Sequence, residues 1–147
     1  MVDVTTKIII NVPVNKVSAY AADPGNAPQW YKNIKSVEWK TPKPIGVGSR
    51  VAFRAKFLGK ELAYIYEIEK YIPGQYLIMR TSEGSFPMGT TYQWESVDDS
   101  TCLMTLRNTG KPSGFSKLLS PFMAMAMKGA NRKDLKLLKS ILENNFN

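Results

Sequence analysis

The stretch that closes the chain, SPFMAMAMKGANRKDLKLLKSILENNFN (Ser120–Asn147), breaks the rhythm of everything before it. Met123, Met127, Ala130, Leu137 or Leu138, and Ile141 put apolar side chains at the spacing of one helix face. Lys128, Arg132, Lys136 and Lys139 form a basic stripe on another face. Ser120 is placed to cap the helix, Pro121 suits its first position, and Asn144 and Asn145 end it. Upstream the period is two. Val51, Phe53, Ala55 and Phe57 share one face of a strand, and Arg50, Arg54 and Lys56 fall on the other. Leu58-Gly59 reads as a hairpin turn into a strand over 61–71, with Leu62, Tyr64, Tyr66 and Ile68 on one side. Ala63, Ile65, Glu67 and Glu69 lie on its other side. Pro73-Gly74 turns the chain into a strand over 76–82, and strands over 86–97 and 101–108 flank the polar turn Asp98-Asp99-Ser100.

The N-terminal part completes the pattern. Residues 4–12 (VTTKIIINV) read as a strand ending at Pro13. Val14, Val17 and Ala21 recur at helical spacing until Asp23-Pro24-Gly25 stops the helix. Asn26 is placed to cap a second short helix carrying Trp30 and Tyr31, and a strand over 35–40 precedes a turn-rich stretch from Thr41 to Ser49. A strand, two short helices, a run of strands and one long helix imply α+β architecture. The expected form is a single domain over residues 1–147, an antiparallel sheet wrapped around the terminal helix with a cavity between them.

A chain of 147 residues with 44% hydrophobic and 22% charged residues can bury one core without staples. Its N-terminus lacks the signature of a secretion signal, and its longest apolar stretches fall short of a membrane span. A single cysteine, Cys102, in strand phase with Met104 and Leu106, allows no internal disulfide and fits a cytoplasmic location. The net charge of +8 is spread along the chain, as expected for a solvated basic surface with at most weak contact with anionic surfaces. Nucleic acid is not an expected partner, because no RNA-binding strand signature, metal-finger spacing or arginine-rich arm is present.

Pro13, Val17, Tyr20, Asp23-Pro24, Asn26 and Trp30 resemble the opening of the polyketide cyclase/dehydrase-like branch of the START and birch-pollen-allergen (SRPBCC) superfamily. Ile45-Gly46-Val47-Gly48-Ser49 is similar to the glycine-bearing approach to its next strand, and Glu67–Arg80 (EIEKYIPGQYLIMR) to its strand-Pro-Gly-strand hairpin. The stretch from Leu135 to Glu143 resembles its closing helix, so the likeness runs from about residue 3 to 143. The resemblance implies a helix-grip fold with a lipophilic cavity. It leaves carriers, sensors and cyclases all open as functions.

The chain contains no histidine. That removes Ser-His-Asp and Cys-His nucleophile systems and His-ligated metal sites, so neither a cofactor nor a metal is expected. The expected ligand is a small hydrophobic molecule. Candidates for the cavity wall are Phe53, Phe57, Tyr64, Tyr66, Met79, Tyr92, Trp94, Met104, Met123 and Met127, with Trp30 as packing or rim. Met125 lies roughly 200° around the helix from Met123 and is left out. Any proton transfer would rest on Glu67, Arg80 or a tyrosine such as Tyr92, although alternation favours solvent for Glu67, Glu69 and Glu95. Three functions stand side by side: carriage of a hydrophobic ligand, cyclisation or dehydration of a polyketide-like substrate, and a protein-interaction module. Monomer and homodimer are both open.

Overall fold

Alternating strands become one sheet in the computed structural model, which describes residues 2–82, 87–110 and 120–146. In chain order the elements are β1 (Val2–Ile10), α1 (Val14–Ala22), a 3-10 turn (Pro24–Asn26), α2 (Ala27–Trp30) and β2 (Ile34–Trp39). β3 (Arg50–Phe57), β4 (Lys60–Ile72), β5 (Tyr76–Thr81), β6 (Met88–Asp98), β7 (Thr101–Gly110) and α3 (Ser120–Phe146) follow. The seven strands order β1-β7-β6-β5-β4-β3-β2, and every neighbouring pair is antiparallel. Each sequential hairpin from β2 to β7 pairs with its neighbour, and β1 closes the far edge on β7.

Local chemistry explains the turns. Leu58 (φ 52°) and Gly59 (φ 77°) both sit in the left-handed region, as a two-residue hairpin matching the sheet twist requires. The Asp23 carboxylate accepts from the Gly25 N–H at 2.9 Å, which starts the 3-10 turn. Asn26 stands at the cap position of α2, but its side-chain amide donates to the Tyr20 carbonyl at 3.1 Å and makes no capping bond. A bulge between Ile68 and Lys70 shifts the phase of β4, so Tyr71 is half-buried and Ile72 exposed.

β1 starts and stops two residues earlier than alternation suggests, since Val2 finds a partner in Gly110. Residue 86, expected to open β6, lies outside the described residues, as does the capping role of the Ser120 side chain. α3 runs one residue past Asn145. It packs along β1, where Lys139 donates to the Ile9 carbonyl at 2.9 Å and Glu143 accepts from the Asn11 N–H at 2.8 Å. Its buried face is Met123, Asn131, Asp134, Leu135, Leu138 and Leu142, while Leu137 is 41% exposed. The true stripe is therefore rotated from the one read on Ile141, and Lys139 is half-buried and paired with Glu143 rather than free on a basic face.

The main core joins Ile10, Val17, Trp30, Ile68, Trp94, Met104, Leu106 and Leu135, Leu138 and Leu142 of α3. Cys102 belongs to it, fully buried between Ile10 of β1 and Ser96 of β6, and burial pushes its thiol up to about 11. A second, smaller cluster joins Val2, Val4 and Met123.

Candidate functional site

Where the concave face of the sheet meets α3, the side chains leave a cavity of about 140 Å³. Alternation explains its floor. Phe53, Ala55 and Phe57 of β3 point inward because Arg54 and Lys56 between them carry charges, and Leu62, Tyr64 and Tyr66 of β4 share that face with only Ala63 and Ile65 between them. Leu77 and Met79 of β5 and Met88, Thr90 and Tyr92 of β6 continue the wall. Met127, Ala130, Asn131 and Asp134 of α3 form its roof, and Ala27, Tyr31 and Ile34 close one end.

The aromatic rings lock together. Phe53 stacks on Tyr64 at 5.6 Å between centroids, and Tyr66 meets Tyr64 edge-on at 5.0 Å. Trp30 lies against Tyr31 at 4.0 Å and Tyr92 at 5.7 Å. The Tyr31 and Tyr92 hydroxyls share a hydrogen bond of 2.6 Å. Thr90 donates to the Asn108 side-chain oxygen at 2.7 Å, so its oxygen is left to accept from the Tyr66 hydroxyl at 2.8 Å. Burial pushes the Tyr66 hydroxyl up to about 12, against the opposing pull of its Thr90 bond, and drives Tyr31, Tyr64 and Tyr92 well above the ordinary tyrosine value. All four remain neutral at physiological pH. Their hydroxyls are therefore neutral hydrogen-bonding groups and not phenolates.

Asp134 is the one charged group in the wall among the described residues. It is 3% exposed and accepts from the Lys32 backbone N–H at 3.2 Å. Burial dominates that bond and raises its carboxyl to about 6. Beside it Asn131 is also buried, and its amide nitrogen has no hydrogen-bond partner among the described residues.

Of the side chains singled out from sequence, Phe53, Phe57, Tyr64, Tyr66, Met79, Tyr92 and Met127 meet at this cavity. Trp30, Trp94, Met104 and Met123 are buried elsewhere. Trp30 backs Tyr31 from behind, and Met123 packs in the second cluster on Val2 and Val4. Trp94 and Met104, cross-strand partners, share the inward face but sit toward the β6–β7 turn, beyond the cavity. Glu67 and Arg80 point to the outer, solvent face and do not reach the cavity. Glu67 accepts from Arg50 Nε at 2.9 Å, and Arg80 pairs with Glu69. Sequence reasoning missed Tyr31, Thr90, Asn108, Asn131 and Asp134. Two of these carried a signal: Asn131 and Asp134 interrupt the Met127–Leu135–Leu138–Leu142 face, and a polar side chain on a core stripe marks a special site.

Among the described residues no helix is long and apolar enough to cross a membrane. No curated protein matches the sequence. Solved structures with the same fold do. The Zhui aromatase/cyclase from Streptomyces sp. R1128 is 14% identical with a TM-score of 0.82, over 99% of this chain and 95% of that one. A START superfamily protein from Mycobacterium smegmatis is 12% identical with a TM-score of 0.79, over 97% of both chains. The di-domain aromatase/cyclase BexL from the BE-7585A biosynthetic pathway is 18% identical with a TM-score of 0.75. The match covers 97% of this chain but only 47% of BexL, about half its length. These likenesses show a START-like helix-grip fold, and a family model matches residues 1–143 in sequence. The chain therefore belongs to the polyketide cyclase/dehydrase and lipid transport family.

Proposed function

We propose that this protein binds a small, largely apolar molecule in the cavity between the sheet and α3. The observation that carries the reading is the composition of the wall: interlocked aromatic and aliphatic side chains, neutral hydroxyls and amides, and one carboxylate. Such a surface gains free energy from apolar burial and uses its few polar groups for orientation. A cavity of about 140 Å³ suits a buried body the size of one ring, since engineered cavities of about that volume hold benzene. About ten buried heavy atoms at roughly 0.6 kcal/mol each correspond to a Kd of tens of micromolar.

Native mass spectrometry on gently purified protein, followed by organic extraction, tests the reading. A defined co-purifying compound supports it and names the chemical class. Met127 on the roof supplies the control. Met127→Lys places a charge in the cavity, and a folded variant that still binds the same compound with unchanged affinity counts against this pocket.

The runner-up is a cyclase or dehydratase working in the same cavity, and one observation favours it. Asp134 holds a carboxyl at about 6, where it can both take and return a proton near neutrality, next to neutral tyrosine hydroxyls that can hold a carbonyl. Conversion of a β-polyketone to a cyclised or dehydrated product, lost in Asp134→Asn, would establish it. Glu67 and Arg80 have no part in either reading, because both face solvent. A cytoplasmic setting accords with the single buried thiol of Cys102, and sedimentation decides between monomer and homodimer.

A further inference from the structure

The chain carries 20 Lys and Arg residues, yet none lines the cavity among the described residues. The one charge that the described residues bring to the wall is negative. Asp134 is buried, bonded only to a backbone N–H, and has no ion-pair partner among the described residues. Three positions earlier on α3, Asn131 is 4% exposed. The described buried side-chain atoms without a hydrogen-bond partner are Thr6 Oγ1, Trp30 Nε1, Trp94 Nε1 and Asn131 Nδ2, and only Asn131 belongs to the cavity wall. The last torsion of asparagine is broad and roughly two-fold, so its amide turns either its oxygen or its nitrogen toward the cavity at little cost.

These two side chains set opposite conditions on an occupant. An anion brought into the cavity sheds its water, meets no cation among the described wall residues, and faces a carboxylate whose one described cationic neighbour, the exposed Lys32, lies outside the wall. A neutral molecule incurs no such penalty. An acceptor oxygen on it completes the Asn131 amide, and a hydroxyl donates to the free carboxylate oxygen of Asp134. Residues three apart on a helix have Cβ atoms about 5–6 Å from each other, which sets the spacing between the two groups.

We propose that the cavity is a charge filter, in which Asp134 rejects ligands that would bury an anionic group and the Asn131–Asp134 pair selects a neutral molecule bearing one acceptor and one hydroxyl about a helical turn apart. The proposal rests on the cavity-binding reading above and adds to it the class of ligand. It excludes carboxylates and phosphates held with their charge inside, despite the strongly positive net charge of the chain.

Three single-ring probes of nearly equal shape test it: 3-hydroxyacetophenone, 3-hydroxybenzoate and α-methylstyrene. Each is titrated at pH 8 into the full-length protein while backbone amide NMR shifts are followed. The ketone is expected to bind at least tenfold more tightly than the benzoate. Asp134→Asn should narrow that gap to about threefold by strengthening benzoate binding. Asn131→Leu should weaken the ketone about fivefold and leave α-methylstyrene unchanged within twofold. Benzoate binding within twofold of the ketone in the native protein overturns the filter, and this comparison needs no variant to fold. If α-methylstyrene binds in that case, cavity binding survives and only the filter falls. If neither α-methylstyrene nor the ketone shifts the cavity residues, the cavity reading fails and takes the filter with it.

Discussion

Asp134 shows how a single side chain ties stability to pH. Its carboxyl titrates at about 6 in the folded protein against an ordinary value of 3.8, because burial disfavours the charged form. The folded state therefore holds its proton more tightly than the unfolded chain. This group costs nothing below pH about 4, destabilises progressively as pH rises to about 6, and exerts its full penalty above that. Asp134→Asn keeps an acceptor for the Lys32 N–H and removes the penalty. Urea unfolding at pH 8 should find the variant about 1–2 kcal/mol more stable than the native chain, with the difference gone by pH 4. A less stable variant at pH 8 would mean the carboxylate has a compensating partner. Trp30 contributes in the other direction. It is fully buried against Tyr31 and Tyr92, and Trp30→Ala should cost about 3–5 kcal/mol in the same assay. Sequence could identify Trp30 as a packing residue without saying what it packs against. Asp134 escaped notice because a search for apolar periodicity passes over polar residues at core positions.

At the scale of elements, alternation was a good guide to which face a residue takes and a poor one to where along the strand the cavity begins. β3 and β4 read correctly from Val51, Phe53, Tyr64 and Tyr66 because nothing interrupts their period before Ile68. Trp94 and Met104 have the right face as well, but Ile10 pairs with Cys102 beside them and the chain then turns into α1, which packs on β6 and β7. Cover from α1, not strand phase, distinguishes plain core from cavity wall there. α3 misled for the complementary reason: with Asn131 and Asp134 discounted, its stripe looks rotated toward Ile141. The β3–β4 turn offers a cleaner test of local rules. Leu58 holds a left-handed conformation that costs a branched side chain roughly 1 kcal/mol, and it is 44% exposed. Leu58→Asn creates the favoured Asn-Gly pair and should raise stability by about 0.5–1 kcal/mol with the urea m-value unchanged. A loss of stability would show that Leu58 packing outweighs the backbone cost.

For the molecule as a whole, the ordering of the sheet sets how it folds. β2 to β7 form by successive hairpins, but β1 must wait for β7, since Ile10 pairs with Cys102 across most of the chain. Closing that loop is an entropic cost met before any of its contacts form. Stopped-flow refolding should accordingly be slow for the size, on the order of 1–100 per second, and mutations at the β1–β7 pairing should mainly speed unfolding. The same pairing gives Cys102 an unexpected use. Its thiol lies at the seam that joins last, closed to solvent and held protonated. An alkylating reagent can reach it only in the moments when the seam opens, so the rate of modification clocks those openings. If the opened state cannot hold a molecule under α3, occupancy makes the openings rarer by the factor 1 + [L]/Kd. The protein thus contains its own stopwatch for occupancy, readable by mass with no label, no assay for turnover and no need to identify the guest.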